Sequence, residues 1–96
     1  MSDNVTRHKI ICEILTSIYR QKNSDYGNSF HLSFIVEGMA MPRIRIGDKF
    51  NRFKALTKVP DAQKVKDESI VDTLLDMANY CIMTVMEIED ERQANP

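Results

Sequence analysis

The chain has 96 residues, enough for one small domain, and its 43% apolar and 28% charged residues suit a folded protein and not a disordered one. A net charge of -1 carries no electrostatic footprint for direct nucleic-acid binding. No apolar run approaches the roughly 18 residues of a membrane span, and Met1 to Tyr19 lacks the layout of a signal peptide, so a cytoplasmic protein is expected.

Three Gly and three Pro leave few turn signals, which implies few, long elements. Asp3 or Asn4 can cap a first helix of about Val5 to Gln21, with Ile11, Ile14, Leu15 and Ile18 on one face. The run Asn23-Ser24-Asp25-Tyr26-Gly27-Asn28 is a dense turn signal that ends it. Asn28 or Ser29 then caps a short helix containing Phe30, Phe34 and Ile35, stopped near Gly38. Pro42 suits the first turn of a third helix reaching about Lys58, whose apolar edge is Ile46, Phe50 and Phe53. Arg43 to Ile46 alternates like a strand, but the preceding Pro and the helical spacing beyond favour helix.

Val59 to Gln63 reads as a loop, Asp67 as the N-cap of a last helix, and Lys66 to Arg92 as one long apolar helical pattern. The class is all-α, a small up-and-down bundle of about four helices forming a single domain. From Leu74 to Met86 the only charge is Asp76, so the last helix is apolar around most of its circumference. Such a helix needs cover on nearly all sides, which points to a homo-dimer or homo-tetramer. Cys12 and Cys81 sit in apolar helical patterns and are expected to be buried, reduced thiols. His8 and His31 are isolated from each other and from the cysteines, so no zinc site is expected.

Two charged stripes stand out. Glu68, Asp72, Asp76 and Asn79 follow a 4-4-3 spacing, which at about 100° per residue confines them to a stripe roughly 80° wide. The three carboxylates repel one another, and either basic side chains or a divalent metal can offset that cost. Arg45, Lys49 and Arg52 form a basic stripe at i, i+4, i+7 on the third helix, and Asp48 is spaced to pair with Arg52. Packed together, the two helices bring these charges to the rim of one cleft. One reading is an ion-pair network between helices. The other is a site where Mg²⁺ on Glu68, Asp72 and Asp76 polarises a phosphoryl oxygen and activates water, while the basic side chains hold polyphosphate. Asn79 fits either a ligand contact or a buried interhelical hydrogen bond.

The turn from Lys22 to Phe30 is the third cluster. Gly27 permits a left-handed backbone, Ser29 opens a helix whose free N–H groups favour anions, and Tyr26 can stack on a base or pack within the turn.

Three blocks in order, Lys22 through Phe30, Arg43 through Arg52, and Asp67 through Tyr80, resemble the family called nucleotide modification associated domain type 1 of phages and bacteria. The resemblance covers roughly Lys22 to Glu87. That family is similar in turn to the all-α MazG-like and phage dUTPase-like pyrophosphohydrolases, which cleave between the α- and β-phosphates using Mg²⁺ on helical carboxylates. Their E-x-x-D pair is matched in kind by Glu68, Asp72 and Asp76 at i+4 spacing. Their earlier E-x-x-E pair is missing, since Glu13 is followed by Ile14, Leu15, Thr16 and Ser17.

The resemblance implies a Mg²⁺-dependent nucleotide-binding protein, most simply a nucleoside triphosphate pyrophosphohydrolase. Glu68, Asp72 and Asp76 are the candidate metal and catalytic residues. Lys22, Arg45, Lys49 and Arg52 are the candidates for phosphate, and Asp25, Tyr26 and Asn79 for sugar or base. A non-catalytic nucleotide-binding module and a purely structural helical protein remain the alternatives.

Overall fold

A computed structural model describes residues 3–26, 28–58 and 64–95, with backbone alone at 25–26 and 64–67. The chain forms four helices in order: α1 (Asn4–Tyr26), α2 (Ser29–Glu37), α3 (Ala40–Lys58) and α4 (Lys64–Ala94). There is no strand among the described residues, and the Arg43 to Ile46 alternation lies within α3. At 1.5 Å per residue the 31-residue α4 is about 46 Å long, and it sets the 48 Å longest dimension. The most extensive packing is α3 along α4; α2 rests mainly on α3, and α1 meets α4 along a shorter stretch.

Local chemistry accounts for most of the boundaries. Asp3 caps α1, its Oδ1 accepting the Thr6 N–H at 2.7 Å. Asn28 occupies the N-cap position of α2 but makes no side-chain cap bond. Gly38 ends α2 with φ 65° and ψ -151°, while its N–H donates to the Phe34 carbonyl at 2.8 Å. That backbone geometry is close to glycine-only. Pro42 is the third residue of α3, where a missing N–H costs no helical bond, and its ring is fully buried.

Two boundaries differ from the sequence reading. Helix α1 continues through Asn23-Ser24-Asp25-Tyr26, which was expected to be a turn. These residues are only about 0.7 kcal/mol each poorer than alanine in a helix, and an ion pair from Lys22 to α4 holds this end of α1 in place. Helix α4 begins at Lys64, so Asp67 lies inside it and is not its N-cap. The expected loop at Val59 to Gln63, and the expected backbone of Gly27, lie outside the described residues.

Burial is sparse. Leu15, Phe34, Met41 and Pro42 are buried, joined by the polar Thr73, Asn79 and Glu87. Of the apolar face expected on α1, Ile11 and Ile14 are exposed and Leu15 alone is buried, because α4 covers only part of α1. Phe50 is also exposed on α3, where the Lys54 ammonium lies 5.1 Å from its ring centre. Cys12 and Cys81 are both exposed, against the expectation of buried thiols, since the surfaces that carry them are not covered by the described residues. No helix among the described residues is long and apolar enough to cross a membrane.

The Gly38 link can be tested directly. A Cβ at this position would meet nothing within 4 Å, so Gly38→Ala exposes the backbone cost alone. Urea denaturation at fixed protein concentration should show a loss of about 1–3 kcal/mol.

Candidate functional site

Three helices converge on one carboxylate. Lys22, near the end of α1, places its Nζ 2.9 Å from Asp76 Oδ1. Lys49, in the middle of α3, places its Nζ 3.1 Å from Oδ2. Both oxygens of Asp76 are therefore engaged, by cations that are 54 and 27 residues away in the chain. Asp76 is 24% exposed. Burial is the largest single influence on its carboxyl and pushes the pKa up; the hydrogen bonds and charges of Lys22 and Lys49 together outweigh it, leaving the pKa below the usual 3.8.

One turn further along α4, Asn79 is buried and its Nδ2 donates to the Leu15 carbonyl of α1 at 3.1 Å. A helical carbonyl has a second lone pair beyond its helix bond, so this contact costs α1 nothing. One turn before Asp76, the buried Thr73 hydroxyl donates to the Ser69 carbonyl at 2.7 Å and accepts from Arg52 Nε at 3.2 Å. Asp48 and Arg52 form no ion pair among the described residues.

Beside Asp76 opens a cavity of about 400 Å³. Its walls include Lys22, Arg45, Asp76 and Asn79, together with Phe30 and Tyr80. The last two rings stack, with centres 6.0 Å apart and planes 20° from parallel. Ser29, the first residue of α2, also lines it, which places the start of that helix at the cavity wall. The space thus joins a cationic side, an aromatic side and a helix N-terminus, which suits an anionic ligand with a flat ring.

The expected site residues are distributed unevenly. Lys22, Arg45, Asp76 and Asn79 line the cavity, and Lys49 reaches it through Asp76. Arg52 is drawn to Thr73 instead. The side chains of Asp25 and Tyr26 lie outside the described residues. Glu68 and Asp72 are exposed.

The acidic stripe is engaged by cations at Asp76 and exposed at Glu68 and Asp72. Both Asp76 oxygens are held by ammonium groups. Among the described residues, the carboxylate and imidazole group with ligand atoms all within 4.8 Å is His31, Glu87 and Asp90, not Glu68, Asp72 and Asp76.

Tyr19, Ser33, Tyr80 and Met83 also line the cavity and were not singled out from sequence. A signal was present: Asp76, Asn79, Tyr80 and Met83 share the i, i+3, i+4, i+7 spacing of one helix face.

The double ion pair predicts a pH-dependent contribution to stability. A carboxylate whose folded-state pKa is depressed stabilises the fold above its unfolded value, and loses that contribution as pH falls through the folded value. Asp76→Asn should cost about 1 kcal/mol at pH 7, given the partial exposure of all three groups, and the difference from wild type should shrink below pH 3.8. Asp72→Asn, at an exposed position, should stay within about 0.5 kcal/mol at both pH values. Urea titrations of the three proteins at pH 7 and pH 3 read this out.

No curated protein and no solved structure matches the chain. A family model does: the one described as Nucleotide modification associated domain 1 matches residues 22–88, from the lysine at the cavity rim to the turn of α4 beyond Glu87. That span reaches all four helices and takes in well over half of the sequence, so the chain belongs to this family.

Proposed function

We propose that the protein binds a nucleotide in the cavity beside Asp76, with the polyphosphate on the cationic side and the base toward the Phe30–Tyr80 pair. The observation that carries this reading is the meeting of Lys22 and Lys49, from separate helices, on one partly buried carboxylate at the cavity wall. Asp76 keeps the two ammonium groups in place in the free protein, and an arriving phosphate offers them a second, more highly charged partner. Arg45 and the start of α2 supply further donors on the same wall. The family description, nucleotide modification associated, is in keeping with this class of ligand.

Mg²⁺ enters the proposal as an ion that arrives with the polyphosphate. Asp72 and Glu68, one and two turns before Asp76 on α4, offer it exposed carboxylates. When bound, it would supply charge neutralisation and polarisation of a phosphoryl oxygen. The pyrophosphohydrolase reading asks more, because carboxylates must also converge around metal and water. Binding is the step the geometry supports best.

Isothermal titration with a panel of nucleoside triphosphates, with and without Mg²⁺, tests the reading. A member of the panel should bind, and Lys22→Ala and Lys49→Ala should each weaken it by about tenfold or more, equivalent to about 1.4 kcal/mol. Absence of binding across the panel defeats the proposal. Release of pyrophosphate in the same samples would add hydrolysis to it.

We further propose that a second copy of the chain covers α4. The accessible surface is 7552 Å², against about 5,600 Å² for a compact monomer of this mass. The excess, about 1,900 Å², is on the scale of what each copy buries in an obligate homodimer. Part of it lies on one face of α4. Val71, Leu74, Cys81, Ile82, Val85 and Met86 are exposed, and at about 100° per residue they share one sector about 140° wide. That sector lies opposite the face carrying Thr73, Asp76, Tyr80 and Glu87. Light scattering at micromolar concentration should give a dimer or tetramer, and Ile82→Lys with Val85→Lys should shift it toward monomer. A wild-type monomer at that concentration overturns this assembly.

A further inference from the structure

His31 on α2 faces Glu87 on α4, with its Nδ1 2.6 Å and 2.9 Å from the two carboxylate oxygens. Glu87 is only 6% exposed, and it is the one buried acidic residue among the described residues. Asp90 follows at i+3 on the same face of α4, and one ligand atom from each of the three residues lies within 4.8 Å of the others. All three border a second cavity of about 160 Å³, separate from the one beside Asp76.

Among the described residues this group carries more negative than positive charge. A single N–H on Nδ1 must serve both oxygens of a buried carboxylate. Asp90 takes part in no ion pair among the described residues. Even with a protonated imidazole, two carboxylates face one positive charge. A buried carboxylate in that setting is costly unless a further cation joins it.

We infer that His31, Glu87 and Asp90 form a binding site for one divalent first-row transition-metal ion. The donor set selects the ion. An imidazole nitrogen beside two carboxylates suits Mn²⁺, Fe²⁺ or Zn²⁺, whereas Mg²⁺ and Ca²⁺ favour oxygen throughout. The spacing is compatible with this. Ligands at about 2.1 Å from a metal lie about 3 to 4.2 Å apart, so His31 and Glu87 need to part by a few tenths of an ångström, and no pair within the 4.8 Å of the group needs to close by more than about 0.6 Å. In doing so Nδ1 gives up its proton and its hydrogen bond, and its lone pair turns to the metal. The cavity leaves room for water to complete the coordination shell. This assignment does not rest on the nucleotide reading, and it uses none of Glu68, Asp72 or Asp76.

The test is titration of tag-free protein with Mn²⁺, followed by electron paramagnetic resonance, with Zn²⁺ and Mg²⁺ as competitors. Wild type should bind one Mn²⁺ per chain, displaced by Zn²⁺ and resistant to equimolar Mg²⁺. Glu87→Gln and His31→Asn should each weaken binding at least tenfold. Asp90→Asn, at an exposed position that leaves packing intact, should weaken it severalfold and keeps the test decisive if the other two variants fold poorly. Asp72→Asn should leave it unchanged. Failure of wild type to bind Mn²⁺ or Zn²⁺ overturns the site. So does binding that survives the Asp90 and Glu87 changes, or that is lost in Asp72→Asn, which would place the ion on the acidic stripe.

Discussion

A chain that buries so few apolar side chains depends on its polar ties, and the tie that matters most is Asp76 between Lys22 and Lys49. It joins α1, α3 and α4 at one point midway along α4. Neighbouring contacts extend it in both directions: Asn79 to the Leu15 carbonyl, and Thr73 to Arg52. Together they give α4 a polar seam where larger domains have a hydrophobic one. Exposed ion pairs contribute little individually, but the Lys49 pair is partly buried, both pairs share Asp76, and Thr73 and Asn79 are buried outright. Removing Asp76 takes a charged partner from both lysines at once, which is where the energetic weight of such networks lies.

The same seam accounts for both readings of the acidic stripe. Its far end behaves as architecture, with Asp76 held by two lysines. Its near end, Glu68 and Asp72, remains exposed. The stripe is continuous on a helical projection, yet its neighbours differ along the axis, because α1 and α3 both reach α4 at Asp76. Periodicity places residues on a face; it carries no information about which partner lies opposite each turn. Pairing of the basic and acidic stripes was therefore legible, while the identity of the pairs was not. Lys22 was assigned to a phosphate-binding turn, and its role as an α1 residue bonded to Asp76 depends on α1 running on past Gln21.

The helices themselves were readable because their signals are local: Asp3 as a cap, Gly38 as a stop, Pro42 in a first turn. Burial was less so. Ile11, Ile14, Phe50, Cys12 and Cys81 all carry core-like patterning yet lie exposed. Apolar periodicity records that a face seeks cover without saying that the cover comes from the same chain. His31 was hidden for a related reason. It has no ligand-type neighbour in sequence, and its partners Glu87 and Asp90 lie more than fifty residues away.

Tyr19, Asn23, Phe30 and Met83 border both cavities. They are walls shared by the lysine-lined space and the space beside the His31 group. The Phe30 ring is stacked on Tyr80 on one side, and on the other its chain neighbour is His31 itself. A substitution at any of these four positions therefore reshapes the wall of both spaces at once.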